Sequence, residues 1–71
     1  METVEYRGEY IELDKLLKVA SVVGTGGEAH ALIMEGAITV DGVIELRKRR
    51  KIREGMVVVY GGETITVVKK K

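Results

Sequence analysis

Apolar residues change their period once along this chain, and the change decides which elements it can build. Leu13, Leu16, Leu17, Ala20 and Val23 recur at i, i+3, i+4, i+7, the spacing of a helix with one buried face. Asp14, Lys15 and Lys18 fall on the opposite face, where Asp14 is expected to pair with Lys18 one turn on. Gly24 is expected at the position just past the helix end, where a left-handed conformation is needed. Thr25 followed by Glu28 has capping-box spacing, which predicts a second helix running to about Glu35. That helix buries Ala29, Leu32 and Ile33, and Gly36 ends it. Two short helices so closely joined must pack at an angle.

Outside this stretch the period is two. Thr3 to Tyr6 reads as a short strand with Gly8 in the turn after it. Ile38-Thr39-Val40, Asp41-Gly42 and Val43-Ile44 form a hairpin with the residues a type I′ turn requires. Arg53-Glu54-Gly55 turns the chain into Met56 to Tyr60, Gly61-Gly62 turns it again, and Glu63 to Val68 alternates as a last strand. The expected fold class is α+β: two short packed helices with a small antiparallel β-sheet, in one domain spanning the 71 residues.

The chain has no cysteine, which removes disulfides, thiol catalysis and thiolate metal sites, and fits a cytoplasmic setting. Its longest apolar run, Met56 to Tyr60, is far short of the roughly 20 residues of a membrane span, and no signal peptide is evident. The small net charge conceals a strong division. Met1 to Glu45 carries nine acids against three bases, whereas Leu46 to Lys71 carries nine bases against two acids. Six of those bases, Arg47, Lys48, Arg49, Arg50, Lys51 and Arg53, lie within seven positions. Only Glu45 and Glu54 are near enough in sequence to neutralise them, so the run is expected to repel itself until a phosphate backbone relieves it. Arginine suits that task, because its planar fork grips phosphate with two parallel hydrogen bonds. A merely solvated, solubilising run is the alternative.

A wider pattern gives these residues a family context. Leu13-Asp14-Lys15-x-Leu17, then Ala29-x-x-Leu32-Ile33-x-x-Gly36-x-Ile38-x-Val40-Asp41-Gly42, and finally Glu54-Gly55-Met56-Val57 resemble the alpha-L RNA-binding domain, named from small-subunit ribosomal protein S-four. Thr25-Gly26-Gly27-Glu28-Ala29 and Leu46-Arg47-Lys48-Arg49-Arg50-Lys51-Ile52 are similar to its stand-alone bacterial members of the YbcJ and YaaA type. The resemblance covers about residues 12–68. It implies a non-enzymatic protein that holds structured RNA, ribosomal RNA or tRNA, in ribosome assembly or translation, with the ribosome or a ribosome-associated protein as a possible neighbour. No cofactor, membrane or small-molecule substrate is implied. Two departures stand out. Many members begin the second helix with Ser-Arg where this chain has Thr25 and Gly26, and the Gly-Gly subgroup tends to place lysine where this chain has His30. The load therefore shifts to the basic loop.

The candidate RNA-binding residues are thus Arg47, Lys48, Arg49, Arg50, Lys51 and Arg53, adjoined by Lys15, Lys18, Thr25, Gly26, Gly27 and His30. Gly26 and Gly27 either leave helix-terminal N–H groups open to an anion or permit a close helix–helix approach. Lys15 and Lys18 either extend a phosphate track or are ordinary surface lysines. His30 falls off the buried stripe and has no second histidine to share a metal with. Tyr6, Tyr10 and Tyr60 read as core or sheet residues, too few for a stacking platform that reads splayed bases. This points to RNA recognised through backbone and shape. Replacing Arg47, Arg49 and Arg50 together is expected to abolish binding and leave the fold intact. No catalytic constellation is present: Ser21 is expected within a helix, and Asp14 and Asp41 at a helix start and a turn. A protein-interaction module associated with the ribosome is the alternative function, and double-stranded DNA binding a third.

Overall fold

A computed structural model describes all 71 residues. The order of elements is β1 (Glu2–Tyr6), β2 (Ile11–Glu12), α1 (Leu13–Val19), α2 (Gly26–Met34), β3 (Ile38–Val40), β4 (Val43–Ile44), β5 (Lys51–Ile52), β6 (Val57–Tyr60) and β7 (Glu63–Lys69). Five strands form one sheet in the order β1-β7-β6-β3-β4, and β2 with β5 forms a separate two-stranded ribbon. The α+β alpha-L architecture with two packed helices stands, with one difference in the sheet. β3, β4, β6 and β7 pair antiparallel as expected, but β1 joins β7 in parallel, Glu2 opposite Ile65 through Tyr6 opposite Lys69, so the sheet is mixed. A parallel pair cannot be closed by a tight turn, and here nearly the whole chain lies between its two strands.

Fourteen apolar side chains make one core, in which Leu13, Leu16 and Leu17 of α1 meet Ala29 and Ile33 of α2 above Ile38, Val58 and Ile65 of the sheet. Ile52 enters the same core from β5 and Ile11 packs against it from β2. The ribbon is thereby tied to the rest of the molecule through one face.

Two helix ends show how local chemistry sets the boundaries. Past α2, Gly36 takes φ 77°, the Gly36 N–H donates to the Ile33 carbonyl and the Ala37 N–H to the Leu32 carbonyl, a Schellman motif. The same pair of bonds ends α1, from Ser21 N–H to the Lys18 carbonyl and from Val22 N–H to the Leu17 carbonyl. The left-handed residue there is Ser21 at φ 60°, not Gly24, and Ser21 lies outside the helix. The apolar spacing carries on to Val23 because the loop residues Val22 and Val23 still pack on the core after the helix has stopped. The hairpin turn is as expected, with positive φ at both Asp41 (51°) and Gly42 (84°). Asp41 is further fixed by β6, its Oδ1 accepting from the Val57 N–H at 2.8 Å.

Candidate nucleic-acid interface

The basic loop is built around the one charged group in the core, Glu45, which is 8% exposed. Glu45 directly follows β4, its N–H donating to the Ile38 carbonyl at 3.0 Å, and its side chain is buried while Ile44 and Leu46 on either side stay exposed. Its two oxygens accept four hydrogen bonds: Arg47 N–H (3.1 Å) and Nε (3.0 Å) on Oε2, Arg47 Nη2 (3.2 Å) and Arg50 Nη1 (3.0 Å) on Oε1. The Arg47 side-chain bonds hold the carboxyl below its ordinary value; burial opposes this, and the Arg47 backbone bond with the charges of Arg47 and Arg50 carries it further down. A buried carboxylate needs such partners, since removing them leaves a charge in a poorly solvated place. Arg47 and Arg50 therefore belong to the framework of the loop as well as to its charge. Replacing Arg47, Arg49 and Arg50 together would remove three of the four hydrogen bonds to Glu45, so a loss of stability is expected beside the loss of binding, where the sequence alone predicts an intact fold.

The loop backbone is then pinned to α1. That helix begins at Glu12 without a side-chain cap, and two of its first N–H groups are met by the loop: Leu13 N–H by the Arg50 carbonyl (2.9 Å) and Asp14 N–H by the Lys48 carbonyl (3.1 Å). Helix start and basic loop satisfy one another. Lys48, Arg49, Lys51 and Arg53 are left exposed and without an ion pair on this anchored backbone.

Asp14 gathers the remaining candidates. Its Oδ2 lies 3.1 Å from Nε2 of His30 on α2, and its Oδ1 accepts from the Lys15 N–H at 2.8 Å. It makes no pair with Lys18; the nearer partners have taken its oxygens. Burial pushes the carboxyl up, but the His30 bond, the Lys15 bond and the charges of His30 and Arg49 outweigh it and leave Asp14 below its ordinary value. His30 is thus already engaged on one ring nitrogen. One turn earlier on α2, Gly26 and Gly27 share its face. A Cβ at Gly26 would meet nothing within 4 Å and one at Gly27 only Thr25 Oγ1 at 3.9 Å, so close helix packing is not what these glycines serve. Thr25 caps the helix as expected, its Oγ1 accepting from Glu28 N–H at 3.2 Å, although the Glu28 carboxylate reaches Gly24 N–H and the Thr25 hydroxyl rather than the Thr25 N–H. Lys15 and Lys18 are exposed on α1, with Lys15 Nζ 3.9 Å from Glu12 Oε1.

Two participants escape a reading of the sequence. Glu45 looks like one more charged residue beside a basic run, and only its place opposite the core reveals its role. Tyr10 is not a core or sheet residue as expected: it is 36% exposed, with Lys51 Nζ 5.2 Å and the Arg53 guanidinium 5.7 Å from its ring centroid. Tyr6 is buried, its hydroxyl oxygen accepting from Glu54 N–H at 2.9 Å, and Tyr60 is half-buried in β6.

Two packed helices with a mixed five-stranded sheet match the alpha-L class of fold. The chain belongs to the S4 domain family, whose model matches residues 4–68. It is 41% identical over 59 residues to YbcJ of Escherichia coli, a candidate RNA-binding protein, and equally to the YbcJ of Shigella flexneri, covering 83% of this chain and 84% of each relative. The solution structure of Escherichia coli YbcJ, described as revealing an alpha-L motif involved in RNA binding, superposes with a TM-score of 0.72 at 37% identity. That match covers 93% of this chain and 85% of the other.

Proposed function

We propose that this protein binds structured RNA, ribosomal RNA or tRNA, through phosphate contacts in the cytoplasm, in ribosome assembly or translation. The observation that carries the reading is the anchored loop: four cations, Lys48, Arg49, Lys51 and Arg53, have no carboxylate to neutralise them and sit on a backbone hydrogen-bonded to α1. Holding like charges together in water is unfavourable, and a polyanion that releases its counterions on contact removes the penalty. Arg47, two-thirds exposed although it holds Glu45, can present its outer edge to the same backbone. Asp14 links the loop to His30, its N–H donating to the Lys48 carbonyl and its carboxylate meeting the His30 ring. Lys15, Lys18, His30 and the Thr25–Gly27 turn are the helix-side residues that extend the surface. The relationship to YbcJ supports the choice of RNA as the polyanion.

Fluorescence anisotropy with a structured ribosomal RNA fragment across a salt series tests the proposal. Neutralising about four phosphates gives a slope of log affinity against log salt of about −3, and RNA should outcompete a DNA duplex of equal length. No binding at low salt would remove the loop from consideration as a nucleic-acid site. A protein-interaction module associated with the ribosome is the second reading, favoured by Val43, Ile44 and Leu46, which lie exposed along the sheet edge beside the loop. It gains ground if binding to ribosomal particles survives charge reversal at Lys48 and Arg49.

A further inference from the structure

On the β2–β5 ribbon two cations of the phosphate surface, Lys51 and Arg53, lie beside an exposed aromatic ring for which phosphate binding gives no role. Ile11 pairs with Ile52 and Glu12 with Lys51, and just before β2 the ring of Tyr10 lies 5.2 Å from Lys51 Nζ and 5.7 Å from the Arg53 guanidinium. Ile11 and Ile52 pack toward the core, while Tyr10, Lys51 and Arg53 are exposed. Both cations lie within the range at which a ring face attracts positive charge, and neither has an ion-pair partner. Tyr10 also lines an open cleft of about 490 Å³, where Tyr6 and Ile11 add apolar wall and the carboxylates of Glu9 and Glu12 are balanced by Arg7 and Lys15.

We infer that Tyr10, Lys51 and Arg53 form a seat for a single unpaired base of the bound RNA. The base stacks on the tyrosine ring and the Arg53 guanidinium plane, and its flanking phosphates are met by Lys51 and Arg53. An exposed aromatic bearing cations offers stacking to any base, because every base has a π face. In the cleft the carboxylates of Glu9 and Glu12 can accept from the N–H groups of a base edge, and the Arg7 and Lys15 side chains can donate to its carbonyl and ring-nitrogen acceptors. The phosphates of the adjoining paired segment stay with Lys48 and Arg49. This inference rests on the RNA-binding reading and narrows it: the RNA carries a bulged or looped-out nucleotide beside a helix.

Two RNA hairpins that differ only in one bulged nucleotide test the seat, with dissociation constants measured for the wild type, Tyr10→Leu and Tyr10→Phe. Leucine retains apolar support for the Lys51 and Arg53 stems but has no π face. The wild type should prefer the bulged hairpin by roughly five-fold or more, the lower range of what stacking one base supplies. Tyr10→Phe should keep that preference, and Tyr10→Leu should lose it while binding the fully paired hairpin with unchanged salt dependence. Equal affinity of the wild type for the two hairpins, or a preference that survives in Tyr10→Leu, would overturn the seat and leave phosphate binding standing. If neither hairpin binds at low salt, the RNA-binding reading fails and the seat falls with it.

Discussion

Arg47 and Arg50 differ from Lys48 and Arg49 in what already holds them. The first two reach back to a buried carboxylate at 3.0–3.2 Å, whereas the second two project from the same few residues with no ion-pair partner. Adjacent residues of like charge thus divide into a group that gives the loop its shape and a group free to meet a polyanion. The division comes from a single inward-facing glutamate, because a carboxylate in the core must recruit donors from whatever chain passes nearby. Density of charge in the sequence overstates the charge available for binding.

A matched pair of double variants can break this comparison, since each removes two positive charges. Lys48→Gln with Arg49→Gln should weaken RNA binding about ten-fold near 0.1 M salt and flatten the salt slope by about 2, with no change in melting temperature. Arg47→Gln with Arg50→Gln should lower the melting temperature by about 10 °C, because in a domain this small a modest loss of stability shifts the midpoint strongly. Equal melting temperatures for the two variants would abolish the distinction between anchored and free cations.

The helices, the hairpin turn and the final strands were legible because each rests on local chemistry that repeats: apolar period, capping residues, Asp41-Gly42. The parallel strand was not, since the pairing of β1 with β7 joins opposite ends of the chain and leaves no local mark. The β2–β5 ribbon was also invisible, because strands of two residues cannot display a period and Ile52 is a lone apolar residue between Lys51 and Arg53. The basic loop as a candidate site was legible from composition. Its internal division rests on the burial of Glu45 just past β4, and the exposed ring on the approach of Tyr10 to Lys51 and Arg53, two placements fixed only when distant segments pair.

Acid sharpens the same contrast through Glu45, the carboxylate that holds Arg47 and Arg50. Its carboxyl is held below the ordinary value of 4.5, so the folded state favours the ionised form. The stabilisation is fully present above about pH 4.5 and is lost as the pH falls through the depressed folded value. Glu45→Gln should therefore be less stable than the wild type at neutral pH, and the gap should narrow below about pH 4 as the wild-type carboxylate takes up its proton. Urea midpoints measured at pH 7 and pH 3 would show this. A constant gap between the two proteins would mean that the carboxylate's charge contributes nothing to the loop.

The smallest expected effect concerns Asp14, whose backbone N–H donates to the Lys48 carbonyl of the loop. Its charge is felt by Arg49, although no ion pair forms between them, and its side chain binds His30 and the Lys15 N–H. Asp14→Asn keeps an oxygen for the Lys15 N–H and a polar group facing His30, but removes the negative charge beside Arg49. If Arg49 meets phosphate, that carboxylate opposes the incoming backbone, and its neutralisation should tighten RNA binding about two-fold at low salt, with the gain fading as salt screens the pair. The salt dependence distinguishes this from a rearranged loop, which would alter affinity at every ionic strength. A loss of affinity in Asp14→Asn would instead show that the carboxylate serves binding by holding His30 in place, and that Arg49 is less free than its lack of an ion pair implies.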